Sequence, residues 1–325
     1  MAKVKKKSQI LRAALFYCSV CIFCAGLPFI LAYALGYYFD TRAFRFIRTG
    51  IVALKSFPDG ADVYLNGRRL EDKTPLTLNE LLPGSYSVRV ELPGYVPWEA
   101  VITLDSGKVE RYEKIILFPA RPDISHLNKA PVTAFYLDSD RGVLYYFHPG
   151  PDGGLYRSQA DGSNFEKAGV LPDMQPRPLG YRLSPERKRV AYFNRSQIIV
   201  SALAEKPARE SGNSPLPLAW TLRKRRLLDI FWFSNAQYLV LLTSEDIAVL
   251  ELRPQAEPVS LVALNKPEAD AFYDAHSDTL YFQDAQRAPD GRMYENVYQL
   301  RLNPKHFDDM VSKILRPASE DNNEN

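Results

Sequence analysis

From Ala13 to Phe39 the chain runs through 27 positions without a charged residue, between Arg12 and Asp40. A helix needs about 20 apolar residues to cross a bilayer. The run therefore predicts one transmembrane helix over 13–39, with Pro28 placed to kink it and Tyr33, Tyr37 and Tyr38 gathered at its C-terminal end, where amphipathic rings prefer the interface. Beyond residue 50 the period changes to that of strands. The β-rich runs Ile51 to Phe57 and Ala61 to Leu65 flank a turn at Pro58-Asp59-Gly60, and Asn66-Gly67 favours the positive φ of a two-residue hairpin loop. After Pro83-Gly84, Tyr86, Val88 and Val90 alternate with Ser87, Arg89 and Glu91, which buries one face of a strand and leaves the other in water.

Residues 132–304 repeat a longer pattern. Phe135-Tyr136-Leu137-Asp138, Tyr181-Arg182-Leu183-Ser184, Phe231-Trp232-Phe233-Ser234 and Phe272-Tyr273-Asp274-Ala275 each open a strand pair, at spacings of 181−135 = 46, 231−181 = 50 and 272−231 = 41. Apolar runs follow at Val143 to Phe147, Val190 to Phe193, Tyr238 to Leu242 and Thr279 to Phe282, and third strands at Gly154 to Arg157, Gln197 to Leu203, Asp246 to Leu252 and Asn296 to Leu302. Units of about 40–50 residues with several strands each are the mark of propeller blades. About four blades can be counted, near the lower limit for a closed ring, so the segment from Ala120 to Pro131 or the C-terminal segment is a source of further strands. A decorated sandwich is the alternative architecture. Asn303-Pro304 then opens a short helix over 305–317 carrying Phe307, Met310, Val311, Ile314 and Leu315, and 318–325 is a polar, acidic tail expected to be disordered.

Composition agrees with a mainly β protein: 24 Pro, 19 Tyr and 17 Phe in 325 residues supply turns and strand aromatics. The net charge of +3 argues against a dedicated nucleic-acid binder. Lys3, Lys5, Lys6, Lys7 and Arg12 precede the apolar run with no acidic residue, which favours a cytoplasmic N-terminus over 1–12, although Arg42, Arg45 and Arg48 follow closely in the juxtamembrane segment 40–49. Cleavage after Ala32-Tyr33-Ala34 is the rival reading, against which the run is longer than a usual signal core of roughly 7–15 residues. Cys18, Cys21 and Cys24 have a metal-like spacing, but they lie inside the apolar span without His or acidic company and read as small hydrophobes. The absence of any later cysteine excludes structural disulfides from the β region.

The turn residues of 50–119 carry a resemblance. Pro58-Asp59-Gly60-Ala61, Val63-Tyr64-Leu65-Asn66-Gly67, Thr74-Pro75, Leu82-Pro83-Gly84, Tyr86, Val88 and Gly94-Tyr95 stand in the order and spacing of the PEGA family of extracytoplasmic β modules, with Asp59 where the name-giving Glu stands and Asp72-Lys73 where a Gly commonly precedes Thr-Pro. The resemblance implies a small β-sandwich at a cell surface, without catalytic residues. Its structural turn motif is Pro58, Gly60, Ala61, Asn66, Gly67, Thr74, Pro75, Pro83, Gly84, Gly94 and Tyr95. More weakly, Tyr181 to Tyr192 resembles the S-P-D-G-K-x-I-A-Y repeat of TolB-type propellers, with Glu186-Arg187 in place of Asp-Gly. A linker at 120–131 would join sandwich to propeller, so a cut near Pro119 to Pro122 should separate them.

The chain shows none of the usual catalytic signatures. His126, His148, His276 and His306 stand in separate loops, and G-x-S-x-G, H-E-x-x-H, a P-loop and an Asp-rich calcium loop are all missing. No catalytic residue, metal ligand or cofactor is therefore expected. Glycoside hydrolysis needs only two carboxylates at the right separation, and stays open as the enzymatic alternative. Arg223, Lys224, Arg225 and Arg226 form a candidate binding patch for lipid headgroups, an acidic polymer or an acidic partner, against the simpler reading of a solvated loop. Asn194-Arg195-Ser196 fits a glycosylation sequon by count, and equally a plain turn. The sequence thus predicts a single-pass membrane protein whose extracytoplasmic β domains bind or hold an envelope protein or polysaccharide.

Overall fold

The structure is a computed structural model that describes residues 2–40, 45–128, 131–148, 154–168, 180–203, 217–223, 225–287 and 291–302. The segments expected as the 305–317 helix and the 318–325 tail, with His306, lie outside these residues. Contacts divide the chain into two units: 1–56, 62–90 and 99–115 form the first, and 57–61, 91–98 and 116–325 the second.

The first unit opens with a helix over Ala2–Ala34, which contains Pro28. The C-terminal bound expected for the membrane helix needs correction, because the helix stops at Ala34 rather than Phe39, while at its other end it continues through the basic N-terminal stretch. Leu35 N bonds Leu31 O and Ala32 O, Gly36 N bonds Tyr33 O, and Gly36 turns the chain at a φ of 77°. Glycine suffers no Cβ penalty in this left-handed cap, and the aromatic Tyr37-Tyr38-Phe39 that follows suits a strand. Tyr37–Asp40 accordingly pairs with Arg45–Arg48 in a two-stranded sheet.

Two sheets follow. One has the strand order Leu76–Leu81, Gly50–Phe57, Val109–Ile116, and the other Arg68–Lys73, Asp62–Leu65, Gly84–Glu91, Trp98–Leu104. Burial alternates along their strands, so Val52, Leu54, Val63, Val88, Val90, Ile102 and Leu104 form a dry interior between them. Gly50 has no room for a side chain, because an added Cβ would meet Lys108 O at 2.8 Å and Leu104 Cδ1 at 2.9 Å. Ser56 Oγ and Thr74 Oγ1 lie 2.6 Å apart in this interior and satisfy one another. Asn66 and Gly67 take φ of 50° and 79°, and Ser87 N donates to Asn66 Oδ1 at 2.9 Å.

Among the described residues the second unit contains four four-stranded antiparallel sheets. The first three are meanders in chain order: Ala134–Asp138 to Glu166–Lys167, Tyr181–Leu183 to Leu218–Thr221, and Leu227–Trp232 to Val259–Ala263. The fourth follows Ala271–Asp274, Thr279–Arg287 and Met293–Arg301, then takes its last strand from Ile124–His126, with Ile124 opposite Leu300 and His126 opposite Tyr298. Part of the segment read as a linker is therefore a strand. Apolar faces join the sheets: Ile198, Val200 and Trp220 of the second pack with Ile230, Leu239 and Leu241 of the third, and Phe135 and Tyr146 of the first with Tyr281 and Val297 of the fourth. Four repeated meanders sharing faces in this way make the unit propeller-like. The other face of the second sheet leaves Tyr181, Leu183, Tyr192 and Ile199 exposed.

Short stretches of the motif region also belong to the second unit. There Leu117 N donates to Phe57 O, Val96 N to Phe118 O and Ala120 N to Gly94 O, while Trp98 Nε1 donates to Glu251 Oε2 at 2.8 Å. Phe118 meets Phe233 and Tyr238 edge to face, and Tyr238 Oη accepts from Ile116 N.

Candidate functional site

The first strands of the second and third sheets, Tyr181–Leu183 and Leu227–Trp232, run side by side. At the starts of the second, third and fourth sheets the second unit has an open cleft of about 460 Å³, reached by Phe193, Arg195, Arg226, Asp229, Glu268 and Asp270. The chain turns into it for local reasons. Asn194 Oδ1 accepts from Ser196 N and Gln197 N, both at 2.9 Å, which folds the loop and presents Arg195. The pairing of Leu227–Trp232 with Tyr238–Thr243 slips by one residue between Leu227 and Asp229. Such a bulge re-aims side chains.

Charges in the cleft are largely matched. Arg182 Nη2 lies 2.6 Å from Asp229 Oδ1, with both side chains mostly buried, and the guanidinium stands 5.3 Å from the centre of the Phe193 ring. Ile230 N donates to the same carboxylate oxygen at 2.7 Å, and Trp232 Nε1 donates to Arg182 O at 3.0 Å. Arg226 Nη2 pairs with Glu268 Oε1 at 3.0 Å in a more exposed position. Arg195 and Asp270 are exposed. This arrangement offers a polar ligand both signs of charge and hydrogen-bonding groups beside an aromatic ring.

Of the candidate basic patch, Lys224 lies outside the described residues, and the others do not act as one surface. Arg223 is exposed, Arg225 Nη1 sits 2.8 Å from the nearly buried Asp246 Oδ2 at an angle that serves charge pairing rather than a hydrogen bond, and Arg226 belongs to the cleft. The turn motif divides as the units do: Pro58, Gly60, Ala61, Gly94 and Tyr95 fall in the second unit, and Asn66, Gly67, Thr74, Pro75, Pro83 and Gly84 in the first. The His126 ring lies tilted against that of Tyr298 with centroids 5.5 Å apart, His148 bonds Pro131 O through Nδ1 at 2.8 Å, and His276 N donates to Asp274 Oδ1 in a turn. Among the described residues no three His, Cys, Asp or Glu side chains converge as metal ligands would. Arg182, Arg195, Asp229, Glu268 and Asp270 escape sequence reasoning. The one signal for them is Asp229, a lone carboxylate inside the apolar run Leu227–Trp232.

Helix, sandwich and meanders define the class: a mainly β protein with, among the described residues, one helical stretch, Leu15–Ala34, long and apolar enough to cross a membrane, as a single-pass anchor or a signal sequence. Within it, residues 49–115 match the PEGA domain family. No curated protein matches the chain. Among solved structures it is similar to a chain of a heterotrimeric yeast nucleoporin complex, 15% identical, covering 59% of this chain and 52% of that one at a TM-score of 0.25. A putative 6-phosphogluconolactonase from Bacteroides fragilis is 13% identical, covering 65% and 63% at 0.23, and the WD40 domain of SCAP from fission yeast 13%, covering 57% and 46% at 0.20. The chain thus spans less than two thirds of the length of each. Likeness at such TM-scores carries no argument, and the propeller-like description rests on the order and register of the sheets themselves.

Proposed function

We propose that this is a non-catalytic, membrane-anchored binding or scaffolding protein of the prokaryotic cell envelope, with a cytoplasmic N-terminus and extracytoplasmic β units. Its cleft, reached by Arg195, Arg226 and Asp270, is the place where a protein or polysaccharide partner is held. The PEGA match over residues 49–115 and the apolar helix support the anchored, module-built reading. The observation that carries the choice of binding over hydrolysis is the pairing of Asp229 with Arg182 and of Glu268 with Arg226. Hydrolysis of a glycoside needs one carboxyl group protonated as an acid and a second free as base or nucleophile. Two of the three carboxylates reaching the cleft are instead bound to guanidinium groups.

The test uses the full-length protein in nanodiscs incubated with purified envelope polysaccharide and, separately, with solubilised envelope proteins. Retention of one class, weakened at least tenfold by Arg195→Ala and Asp270→Ala together, is the expected result. Release of reducing sugar ends that disappears in Asp229→Asn or Asp270→Asn would replace this reading with a membrane-tethered glycan hydrolase.

A further inference from the structure

The hairpin between the helix and the sandwich has no neighbour strand among the described residues. Its register sets Tyr37 opposite Arg48, Tyr38 opposite Ile47 and Phe39 opposite Phe46. Tyr37 and Arg48 thus share one face with Phe39 and Phe46, whose rings meet at 5.0 Å, and Tyr38 and Ile47 share the other. Tyr37, Tyr38 and Phe46 are 37%, 54% and 45% exposed. A lone two-stranded hairpin is at best marginal in water, and showing aromatic rings on both faces does not help it.

Position says what covers it. The apolar run Leu15–Ala34 is 20 residues long, a rise of about 30 Å, the thickness of a bilayer's hydrocarbon core. Its last residue therefore reaches the lipid headgroups, and the hairpin begins three residues later. Its ends are fastened. Thr49 N and Oγ1 both donate to Gly36 O, at 2.8 and 2.9 Å, closing the hairpin onto the helix terminus. Ser106 Oγ donates to Arg48 O at 3.2 Å, and the Arg48 side chain lies so close over Gly107 that a Cβ there would meet its Cδ at 2.7 Å. Tyr33 Oη, in the last helical turn, donates to Glu80 Oε1 of the sandwich at 3.0 Å.

We infer that the paired strands Tyr37–Asp40 and Arg45–Arg48 are a membrane-interface foot, whose Tyr37, Tyr38 and Phe46 rings lie among the headgroups of the bilayer that holds the helix and thereby seat the sandwich at the membrane surface. Tyrosine favours this layer because its ring is apolar and its hydroxyl is wet. The inference rests on the reading of Leu15–Ala34 as a retained membrane span.

Spin-label accessibility in nanodiscs tests it. In a background with Cys18, Cys21 and Cys24 changed to Ala, labels are placed singly by Tyr38→Cys, Phe46→Cys, Phe23→Cys within the span and Val101→Cys on the exposed face of the sandwich. Labels at 38 and 46 should collide with oxygen more often than with a water-soluble nickel chelate, at a depth between those of 23 and 101. Should 23 lie deep while both 38 and 46 match the aqueous behaviour of 101, the foot is overturned and the span survives. An aqueous reading at 23 as well would remove the span, and the foot with it.

Discussion

Arg182 Nη2 reaches across to Asp229 Oδ1 at 2.6 Å, joining the first strand of the second sheet to the first strand of the third, with 16% and 14% of the two side chains exposed. Removing one partner leaves the other charge, mostly withdrawn from water at the wall of the cleft, without its counter-ion. A fully buried pair loses about 3–5 kcal/mol on such a deletion. Residual exposure reduces this, so Asp229→Ala should cost about 2–3 kcal/mol in urea unfolding. Replacing both, as Arg182→Met with Asp229→Leu, should recover most of that loss, and equal destabilisation by the single and double variants would show that the pair does not hold the sheets.

The turn at Asn66-Gly67 separates backbone from contact effects. A Cβ on Gly67 would meet nothing within 4 Å, so the whole cost of Gly67→Val comes from the φ of 79°. About 1–3 kcal/mol is expected, seen as a lower melting temperature of the sandwich. Asn66→Asp should be mild, because the carboxylate keeps the acceptor for Ser87 N.

Alkaline pH should unfold the second unit. Burial pushes the hydroxyls of Tyr146 and Tyr281 up to about 12, and burial with the charges of Glu251 and Asp278 pushes Tyr238 and Tyr273 further above the ordinary value of 10.0. All four raised groups keep their protons in the folded state where the unfolded chain loses them. Their stabilisation is therefore complete below pH 10 and falls as pH rises above it, by about 1.4 kcal/mol per pH unit for each group. Urea midpoints measured from pH 8 to 11 should be flat and then drop. Tyr146→Phe should make the drop shallower, and an unchanged slope would show that this hydroxyl ionises freely when folded.

Topology has its own check. The proposed orientation predicts that protease added to intact spheroplasts degrades everything after Asp40 and spares the first twelve residues, and that carbonate-washed membranes keep the helix. Full protection of the β units would place them in the cytoplasm. Release of a soluble product starting at Leu35 would identify a cleaved signal.

Strands were legible wherever burial alone decides them. Val88 and Val90 lie buried beside an exposed Arg89, and the apolar runs at Val143, Tyr238 and Thr279 each start a strand of the meanders, because period and burial are read from the same local residues. Illegible features depend on partners distant in sequence. The uncharged stretch to Phe39 hides the helix stop, since hydropathy does not distinguish a helix from the Tyr37–Asp40 strand. Trp98 likewise finds Glu251 across 153 residues, a contact that no local pattern announces. In the cleft, Asp229 and Arg182 are ordinary strand residues until the bulge and the neighbouring sheet bring them together.

The pairing of Ile124–His126 with the last strand, Met293–Arg301, bears on how the protein is made. A strand synthesised early must wait, its edge unsatisfied, until more than half the chain's length has followed it. Contacts so distant in sequence form slowly. The fourth sheet therefore cannot close until Met293–Arg301 has been made, and until then the edge of Ile124–His126 stays open to whatever other strand or chaperone meets it first.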